Sequence, residues 1–520
     1  MVIPALSNKR LRLALIVFFV WTLIALLVIV PTRQTAHAHS ASRSYFHLLI
    51  PASQPNANLC RLIYSAAVLN YPAPILIGWE GKDDYDITAS HLAKIRGIIR
   101  YLKGLPEGRQ DDVALVLDGY DVWMQLRPDV LLQRYFKVNA DANAQLEEDF
   151  GKEGMKEHGV MQSIIFGPDK ICWPEDPWRP ACWAVPKSPL GRKIFGVTTD
   201  GEDPVYNRPR WLNSGTLIGP TGDLHEALEA TMRVMAKEFD PNNEIRNSDQ
   251  MYFADTWGEQ EWGRTSLFRI LKGDENATNA RRQPPPDLEH TYVPKFEPGQ
   301  KTDFHIGLDY ESSLFQTAAF YEEFLTWMTY SGRPHITADS PATESAEYIQ
   351  EAAGTTSQPL FLLPEDVSFS PPPPLPPVED TPGTPWTSLR LMTNYATHQL
   401  FPVLHITGNK ELIEAWWRRM WFYPHGLELL DRAHDYNPFE EGKGLNGGQL
   451  GSGDLYGNRE WWNWNVRESA PTHWWGGAKS LPSTLLGQIK GGKKGGAWTD
   501  SGKWIAWEDL CGPSEGELFS

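Results

Sequence analysis

Short apolar segments alternate with amphipathic segments in the first part of the chain. Apolar runs at 45–51, 73–79 and 112–117 have the length and composition of β-strands. Between them, segments 58–70 and 91–105 place apolar residues at helical spacing, so each has one apolar face. The order strand, helix, strand, helix, strand is typical of a parallel sheet with crossover helices. The pattern therefore predicts a Rossmann-like α/β fold with a mostly parallel sheet and flanking helices.

Regular patterns continue further along the chain, with longer gaps between them. The remaining predicted elements are strands at 209–219 and 400–408, helices at 224–238, 248–257 and 410–421, and a strand with a turn at 303–316. Ligands of such sheets bind beyond the carboxyl ends of the strands. The residues that follow each predicted strand are therefore the first candidates for a functional site.

The composition of the chain changes twice in its second half. Residues 337–385 are dominated by Ala, Ser, Thr, Glu and Pro, and 370–377 read SPPPPLPP. This composition predicts a largely disordered, proline-rich insertion, and a ligand for SH3 or WW domains is the alternative for the proline run. The α/β domain then comprises 45–336 and 386–425. A Trp- and Gly-rich region at 426–520 follows, which we expect to pack on this domain or to form an aromatic surface.

The N-terminus contains an uncharged apolar run at 13–30. In a helix this run extends roughly 27 Å, close to the thickness of the hydrocarbon core of a bilayer. Three basic residues precede it and only Arg33 follows closely, which predicts that 1–12 stay in the cytosol and the remainder is lumenal. We expect a single transmembrane signal anchor, with a stem at 31–44. A cleaved signal peptide is the alternative.

Charge and cysteine usage narrow the possible functions. Acidic side chains outnumber basic ones by 65 to 48, giving a formal charge of −17, so the chain lacks the basic footprint that a nucleic-acid partner requires. Cys172 and Cys182 are two of four cysteines, and in an oxidising lumen we expect a disulfide between them. Two buried thiols are the alternative. Asn276 begins an Asn-Ala-Thr glycosylation sequon, which fits the same compartment.

The segment Asp118-Gly119-Tyr120-Asp121 follows the third predicted strand directly. Two carboxylates three residues apart on a glycine-containing turn can converge on one hard cation, and oxygen ligands suit Mn²⁺ or Mg²⁺. A cation at this position can bridge a diphosphate and neutralise charge as a sugar–phosphate bond breaks. The alternative is that the two aspartates only satisfy turn amides or cap a helix.

Six short segments, of which this turn is one, resemble a known family in the same order along the chain. They read VLDGYDVW (116–123), FGPDKICWP (166–174), WLNSGTLIG (211–219), SDQMYF (248–253), LDYESSLFQ (308–316) and VLHITGNK (403–410). Together they are similar to the procollagen galactosyltransferase and lysyl hydroxylase glycosyltransferase-domain family, over about 45–425. This resemblance implies a GT-A fold, a UDP-sugar donor and Mn²⁺. No iron-binding oxygenase motif is identified, so lysyl hydroxylation is not implied.

The resemblance also assigns expected roles to the metal ligands and their neighbours. Asp118 would contact the metal and the nucleotide ribose, Asp121 would bind the metal, and His405 would be the third ligand. Gly408 lies beside His405 in a segment suited to a ligand or phosphate, and Lys410 would offset diphosphate charge, although its spacing from His405 departs from the family's. A half-buried strand histidine bonded to backbone is the alternative for His405. We expect the three metal ligands to converge because the C-terminal strand returns to the same edge of the sheet.

Further candidates surround this core of the expected site. Asn213 would line the acceptor side or shape the donor pocket, unless Asn-Ser-Gly is only a turn. Asp249 would act as a general base or bind sugar hydroxyls, unless it serves only as a helix N-terminal residue. Trp79 and Tyr120 are candidates for the wall around the base, with core packing as the alternative. Lys94 matches a lysine of the family's second helix, but a solvated lysine on a helix face explains it equally well.

The expected function is transfer of a hexose from a UDP-hexose to a protein or glycan acceptor, by an enzyme anchored in the Golgi or ER membrane through its N-terminal helix. Two alternatives are a non-catalytic lumenal protein that binds glycans through its Trp-rich tail, and a nucleotide-sugar hydrolase that uses the same metal site. Retention of Asp118, Asp121 and His405 together argues against the first, because a binding module has no need of a metal triad.

Overall fold

The computed structural model describes residues 43–81, 90–240, 242–273, 283–287, 289–330, 335–336, 362–373, 375, 384–434, 448–464 and 495–520. The predicted anchor at 13–30, its stem and the sequon at Asn276 lie outside these residues, and so do 337–361 of the predicted insertion. Within the described part, no helix combines the length and apolar character needed to cross a bilayer.

The described residues contain strands that form one large and two small sheets. The strands are β1 (Arg43–Pro51), β2 (Ile75–Ile77), β3 (Val113–Leu117), β4 (Val122–Met124), β5 (Ile164–Asp169), β6 (Trp211–Pro220), β7 (Ile306–Leu308), β8 (Phe315–Thr317), β9 (Leu325–Thr329), β10 (His335–Ile336), β11 (Leu391–Asn394), β12 (Val403–His405), β13 (Gln449–Gly453), β14 (Arg459–Asn463), β15 (Gly496–Thr499) and β16 (Trp504–Ala506).

The main sheet is mixed and, among the described residues, has ten strands. Its path runs β16-β15-β2-β1-β3-β6-β5-β7, and β14 joins β1 while pairing with β13. The pairs β15/β2, β2/β1, β1/β3 and β5/β7 are parallel, whereas β6 is antiparallel to both of its neighbours. The carboxyl ends of β15, β2, β1 and β3 therefore lie along one edge.

The small sheets are β10-β9-β11 and β4-β12-β8. In the second of these, β12 pairs antiparallel with β4 and parallel with β8. His405 of β12 is opposite Val122 on one side and Thr317 on the other. Because β4 follows β3 after a four-residue turn, this small sheet begins beside the edge of the main sheet.

Helices cover the main sheet on both faces. The α-helices of the described residues are α1 (Ala57–Val68), α2 (Ser90–Gly104), α3 (Pro128–His158), α4 (Pro180–Trp183), α5 (Thr221–Glu238), α6 (Asp249–Lys272), α7 (Glu365–Phe369), α8 (Leu412–Trp417), α9 (Gly426–His434), α10 (Trp507–Leu510) and α11 (Glu515–Leu518). Along β1, Leu48 and Ile50 pack into one hydrophobic core with α1, while Leu49 packs into another with α2. This alternation follows from the two-residue period of a strand buried on both faces.

The strands and helices predicted in the first part of the chain are confirmed, with ends shifted by a few residues. Two predicted elements differ in length: the helix expected at 248–257 continues to Lys272 as α6, and the strand expected at 400–408 is only β12. The sequence pattern missed α3, which is interrupted at Gly151 (φ +72°). Its apolar residues are concentrated near its start, and the remainder is largely polar, so it lacks a continuous apolar stripe.

The described parts of the Trp- and Gly-rich region at 426–520 pack on the α/β domain, which is the first of the two expectations for this region. It supplies β13 to β16 to the main sheet. A disulfide joins Cys511 of this region to Cys60 of α1, with 5.5 Å between their Cα atoms. The predicted disulfide between Cys172 and Cys182 is confirmed, with a Cα separation of 5.4 Å.

The insertion predicted to be largely disordered, 337–385, contains an ordered segment at 362–373. Residues 362–373 contain α7, whose Val367 is fully buried. The Asp366 carboxylate of α7 accepts hydrogen bonds from Arg134 of α3 at 2.5 and 3.1 Å. Composition did not predict this ordering, because it depends on the ion pair and on apolar contacts of Val367 and Leu363 with the core.

The proline run begins in contact with the folded chain. The indole nitrogen of Trp386 donates a hydrogen bond to the carbonyl oxygen of Pro371 at 3.1 Å, and Leu375 is buried. Trp386 in turn packs edge-on against Trp421, with 5.8 Å between ring centroids. Aromatic side chains with an indole donor are the usual receptors for polyproline segments, and here the receptor belongs to the same chain.

Asp366→Ala should lower the free energy of unfolding by about 1–3 kcal/mol, the usual range for losing a hydrogen-bonded charge partner. Arg134 would keep its hydrogen bonds to the carbonyl oxygens of Ser313 and Leu400, so the loss should not reach global unfolding. Chemical denaturation measures the effect, and the neighbouring exposed residue provides the control Glu365→Ala. Equal stabilities for the two variants would show that the ion pair does not anchor α7.

Candidate metal centre

The turn between β3 and β4 is fixed by backbone contacts on both sides. The amide of Asp118 donates to the carbonyl oxygen of Gly215 in β6 at 2.8 Å. At Gly119 a Cβ atom would lie 2.7 Å from the carbonyl oxygen of Pro51 at the end of β1. A side chain at this position would force the turn away from β1, so glycine allows Asp118 and Asp121 to stay at the sheet edge.

The side chains of Asp118, Asp121 and His405 converge. One ligand atom from each lies within 4.8 Å of those from the other two, and the described residues contain no further cluster of this kind. The distance from His405 Nε2 to Asp121 Oδ2 is 3.3 Å. The predicted convergence is therefore confirmed.

The expected route to this convergence was wrong. The strand that carries His405 does not return to the main sheet; it joins the small sheet β4-β12-β8. There it pairs directly with the strand that follows the Asp118–Asp121 turn, and the amide of Ile406 donates to the carbonyl oxygen of Asp121 at 2.7 Å. His405 thus reaches the site through β4, its immediate neighbour.

Gly215 of β6 forms the floor beneath two of these ligands. A Cβ atom at this position would lie 2.0 Å from His405 Cε1 and 2.8 Å from Asp118 Oδ2. Both side chains therefore rest against bare backbone. Asn213 holds this backbone in place, because its Oδ1 accepts a hydrogen bond from the Gly215 amide at 3.0 Å. Asn213 lies within β6, so the alternative that Asn-Ser-Gly is only a turn is wrong.

Lys94 of α2 connects two carboxylates and the floor of the site. Its ammonium group lies 2.7 Å from Asp118 Oδ1 and 2.9 Å from Asp249 Oδ2, and it donates to the carbonyl oxygen of Ser214 at 3.0 Å. Only 6% of Lys94 is exposed, so the alternative of a solvated helix-face lysine is wrong. Burial alone would lower the pKa of Lys94, but the two carboxylates outweigh burial and raise it above its ordinary value.

Asp121 has two cationic neighbours. Lys410 Nζ lies 2.6 Å from Asp121 Oδ2, the same oxygen that faces His405, and donates to the carbonyl oxygen of Ile406. Burial would raise the pKa of Asp121, but His405 and Lys410 hold it well below its ordinary value. The side chain of Lys410 is 55% exposed, so a ligand arriving from solvent can reach its ammonium group beside Asp121.

Asp169 is a buried carboxylate that the sequence analysis did not select. It ends β5, and its Oδ2 lies 3.4 Å from the Asn213 side-chain amide, which donates to it. Burial raises the pKa of Asp169 to about 6, against the lowering effect of its hydrogen bonds and of His405. A signal was present in the sequence, since Asp169 stands at the end of an apolar segment within FGPDKICWP. Asp118 became a candidate because it stands at the corresponding place, at the end of its own apolar segment.

The other predicted site residues have mainly structural contacts. Trp79 is 8% exposed and belongs to the main hydrophobic core, which supports its core-packing alternative. The hydroxyl group of Tyr120 accepts hydrogen bonds from the amides of Ser53 and Gln54, in the loop after β1, at 3.1 and 3.2 Å. Gly408 adopts a φ of +70°, so it allows the chain to turn directly after β12.

The donor set fits a divalent cation of the Mn²⁺ or Mg²⁺ type. Two carboxylates and one imidazole combine hard oxygen ligands with a nitrogen that Mn²⁺ accepts more readily than Mg²⁺ does. His405 Nε2 faces the carboxylates, while its buried Nδ1 finds no hydrogen-bond partner among the residues that the structure describes. Because Gly215 has no side chain, the side chains of His405 and Asp118 have room on this side of the site.

Gly215→Ala should destabilise the protein by about 1–3 kcal/mol, because the added methyl group overlaps the His405 ring and buried side chains there have little room to shift. The matched control is Gly516→Ala, where a Cβ meets no atom within 4 Å. Thermal or chemical denaturation compares the two variants. Unchanged stability in Gly215→Ala would mean that the His405 ring does not rest on β6.

Asp169→Asn should become more stable than the native protein as the pH rises. In the folded state the pKa of Asp169 is about 6 instead of its ordinary 3.8, so its neutral form stabilises the fold fully below about 4. This contribution is lost as the pH rises through 6. Between pH 4 and 8 the two proteins should diverge by on the order of 2 kcal/mol. Denaturant titrations across this range test it, with exposed Asp454→Asn as control; a constant difference would contradict the shift.

Comparisons with known protein families and curated proteins identify no relative of this chain. The chain matches no protein-family model, and no curated protein matches it significantly. The assignment of a function to this chain therefore depends on its sequence motifs and on the geometry of this site.

Proposed function

We propose that this protein is a metal-dependent glycosyltransferase, which transfers a hexose from a UDP-sugar to a protein or glycan acceptor. The observation that carries the proposal is the meeting of Asp118, Asp121 and His405 at the carboxyl edge of parallel strands, next to the buried pair Lys94 and Asp249. Metal ligands beside further polar groups at this edge are what transfer from a nucleotide sugar requires.

A GT-A fold is part of the proposal. In support, β2, β1 and β3 form a parallel core with helices on both faces, and the acidic turn follows β3. The antiparallel β6 lies next to β3 and carries the Asn-Ser-Gly segment that the resemblance places in the site. The large mixed α/β sheet is in keeping with such a fold, and the acidic turn lies at the edge formed by the carboxyl ends of β2, β1 and β3.

Asp118, Asp121 and His405 would hold Mn²⁺ or, less favourably, Mg²⁺. When bound, the cation supplies positive charge that stabilises the departing diphosphate. Lys410 adds a second positive charge at Asp121 and would bind a phosphate oxygen. Lys94 acts differently, because it is buried and orients Asp118 from below; it holds a metal ligand and does not reach the donor.

One of the remaining polar groups is suited to bind the sugar, and another is suited to take the proton of the acceptor. Asp249, held by Lys94 at 2.9 Å, is suited to accept hydrogen bonds from sugar hydroxyl groups. Asp169, with its raised pKa, is better matched to take a proton near neutral pH. In the transfer, an acceptor oxygen bonds to the anomeric carbon, the bond from that carbon to the phosphate oxygen breaks, and UDP leaves. The acceptor proton passes to a carboxylate, and Asn213 orients Asp169 for this role.

The proposed location is the lumen of the ER or Golgi, with the chain anchored through 13–30. Both disulfides support it, because all four cysteines of the chain are paired and such bonds persist in oxidising compartments. Transfer to secreted or membrane glycoproteins would follow from that location.

Asp121→Ala should reduce Mn²⁺-dependent release of UDP from a UDP-sugar roughly 100-fold or more, the scale found for removing a group that stabilises a developing charge. Its fold should persist, since the residue lies in a turn at the sheet edge. The full chain, purified in a mild detergent, is screened across UDP-sugars with and without glycoprotein acceptors, and exposed Asp141→Ala is the control.

Three results would contradict the proposal. Equal activity in Asp121→Ala and the native protein would show that the metal takes no part in the reaction. Release of UDP that does not increase with any acceptor would identify a hydrolase. Absence of UDP release with every UDP-sugar would favour a binding protein.

A further inference from the structure

The C-terminal part of the chain reaches the ligand-binding edge of the main sheet. Strand β15 runs parallel to β2, with Trp498 opposite Ile75 and Thr499 opposite Leu76. Parallel neighbours end at the same edge, so the residue after β15 lies beside the residues after β2. That residue is Asp500.

Asp500 binds the backbone that follows β2. Its Oδ2 accepts a hydrogen bond from the Gly78 amide at 2.9 Å, and its own amide donates to the carbonyl oxygen of Leu76 at 3.0 Å. Arg100 of α2 lies 3.3 Å from the same carboxylate oxygen. Only 13% of the Asp500 side chain is exposed, so this carboxylate is built into the edge of the sheet.

The turn that Asp500 holds has an unusual backbone. Gly78 adopts a φ of +76°, and Glu80 within the following 3₁₀ turn, Trp79–Gly81, has a φ of +61°. A non-glycine residue in this region is strained and persists only where its surroundings fix it. On the side away from Asp500, the Glu80 amide donates to the carbonyl oxygen of Ser53 at 3.0 Å. The turn is thus held from both sides.

A short series of contacts links this turn to the metal motif. Ser53, whose carbonyl oxygen holds the turn, donates its amide hydrogen to the Tyr120 hydroxyl group at 3.1 Å. Tyr120 stands between Asp118 and Asp121 in the sequence. The C-terminal strand, the turn after β2 and the metal ligands therefore line one edge in that order, with the loop after β1 between the last two.

We propose that Asp500 is a positioning residue, which holds the turn after β2 as the wall that receives the nucleoside of the UDP-sugar. This proposal rests on the proposed function. The diphosphate must lie at Asp118 and Asp121, and Asp169, to which the proposed function assigns the acceptor proton, ends β5 on the far side of β6. The rest of the donor must then extend the opposite way along the edge, towards the loops after β1 and β2. The uncharged nucleoside is therefore the part of the donor that faces this turn. The C-terminal region is then a component of the donor site.

Binding of UDP in the presence of Mn²⁺, measured by calorimetry on the full chain in detergent, tests the proposal. Asp500→Ala removes the acceptor of the Gly78 hydrogen bond and should weaken UDP binding by about tenfold, as expected for one charge-assisted hydrogen bond. Asp500→Asn keeps an oxygen acceptor and should restore most of the affinity. Asp509→Asn, an exposed aspartate of the same C-terminal region, should bind UDP like the native protein.

Kinetics separate positioning from a merely structural role. Asp500→Ala should raise KM for the UDP-sugar while kcat and KM for the acceptor stay unchanged. A fall in kcat alone, accompanied by a lower Tm, would assign Asp500 to stability and overturn the proposal. If the native protein binds UDP and Asp500→Ala binds it equally well, the proposal fails and the glycosyltransferase function stands. If the native protein does not bind UDP, the proposed function itself fails.

Hydrogen exchange on the native protein tests the proposal even if Asp500→Ala does not fold. The Gly78 amide should be protected in the absence of ligand, and UDP with Mn²⁺ should increase protection across 76–81. Unchanged protection in this segment on UDP binding would overturn the proposal, because the nucleoside would then lie elsewhere.

Discussion

Carboxylates repel one another, and a single buried ammonium group allows this site to bring them together. Lys94 of α2 lies between Asp118, at the end of β3, and Asp249, at the start of α6, and it also bonds the backbone of β6. Four elements, two of them far from α2 in the sequence, therefore meet at one atom. Because Lys94 and Asp249 are buried, this contact is strong only when every partner is in place. The packing of α2 on the sheet and the geometry of the acidic turn therefore depend on each other.

The local pattern of the sequence was sufficient to predict the centre of the fold. Strands β1, β2 and β3 are apolar throughout and the helices between them have one apolar face, because both faces of a parallel sheet are covered. Asp118 and Asp121 could be selected since the carboxyl end of a parallel strand is a place where ligands bind. His405 could be selected only through a resemblance, since a histidine at the end of a strand has no distinctive local signal.

What the sequence did not predict depends on contacts between distant segments. The burial of Lys94 follows from partners on three other elements, and nothing around it in sequence distinguishes it from a surface lysine. Likewise, β13 to β16 are short strands among many glycines, and no apolar period in these segments predicts their place in the sheet. Strand β14 pairs with β1, and β15 pairs with β2. The composition around Asp366 is typical of disorder. Part of this segment is nevertheless ordered, because Asp366 forms an ion pair with Arg134, which lies more than 200 residues earlier.

The position of β15 also determines the order in which the protein can be completed during synthesis. Strand β2 is paired on one side by β1, and among the described residues its other side pairs with β15, which begins at Gly496. While the polypeptide emerges from the ribosome, that side of β2 presents unpaired amide and carbonyl groups, a ready template for association with another chain. Truncation before Gly496 should therefore favour aggregation, because it leaves this side of β2 without its partner strand.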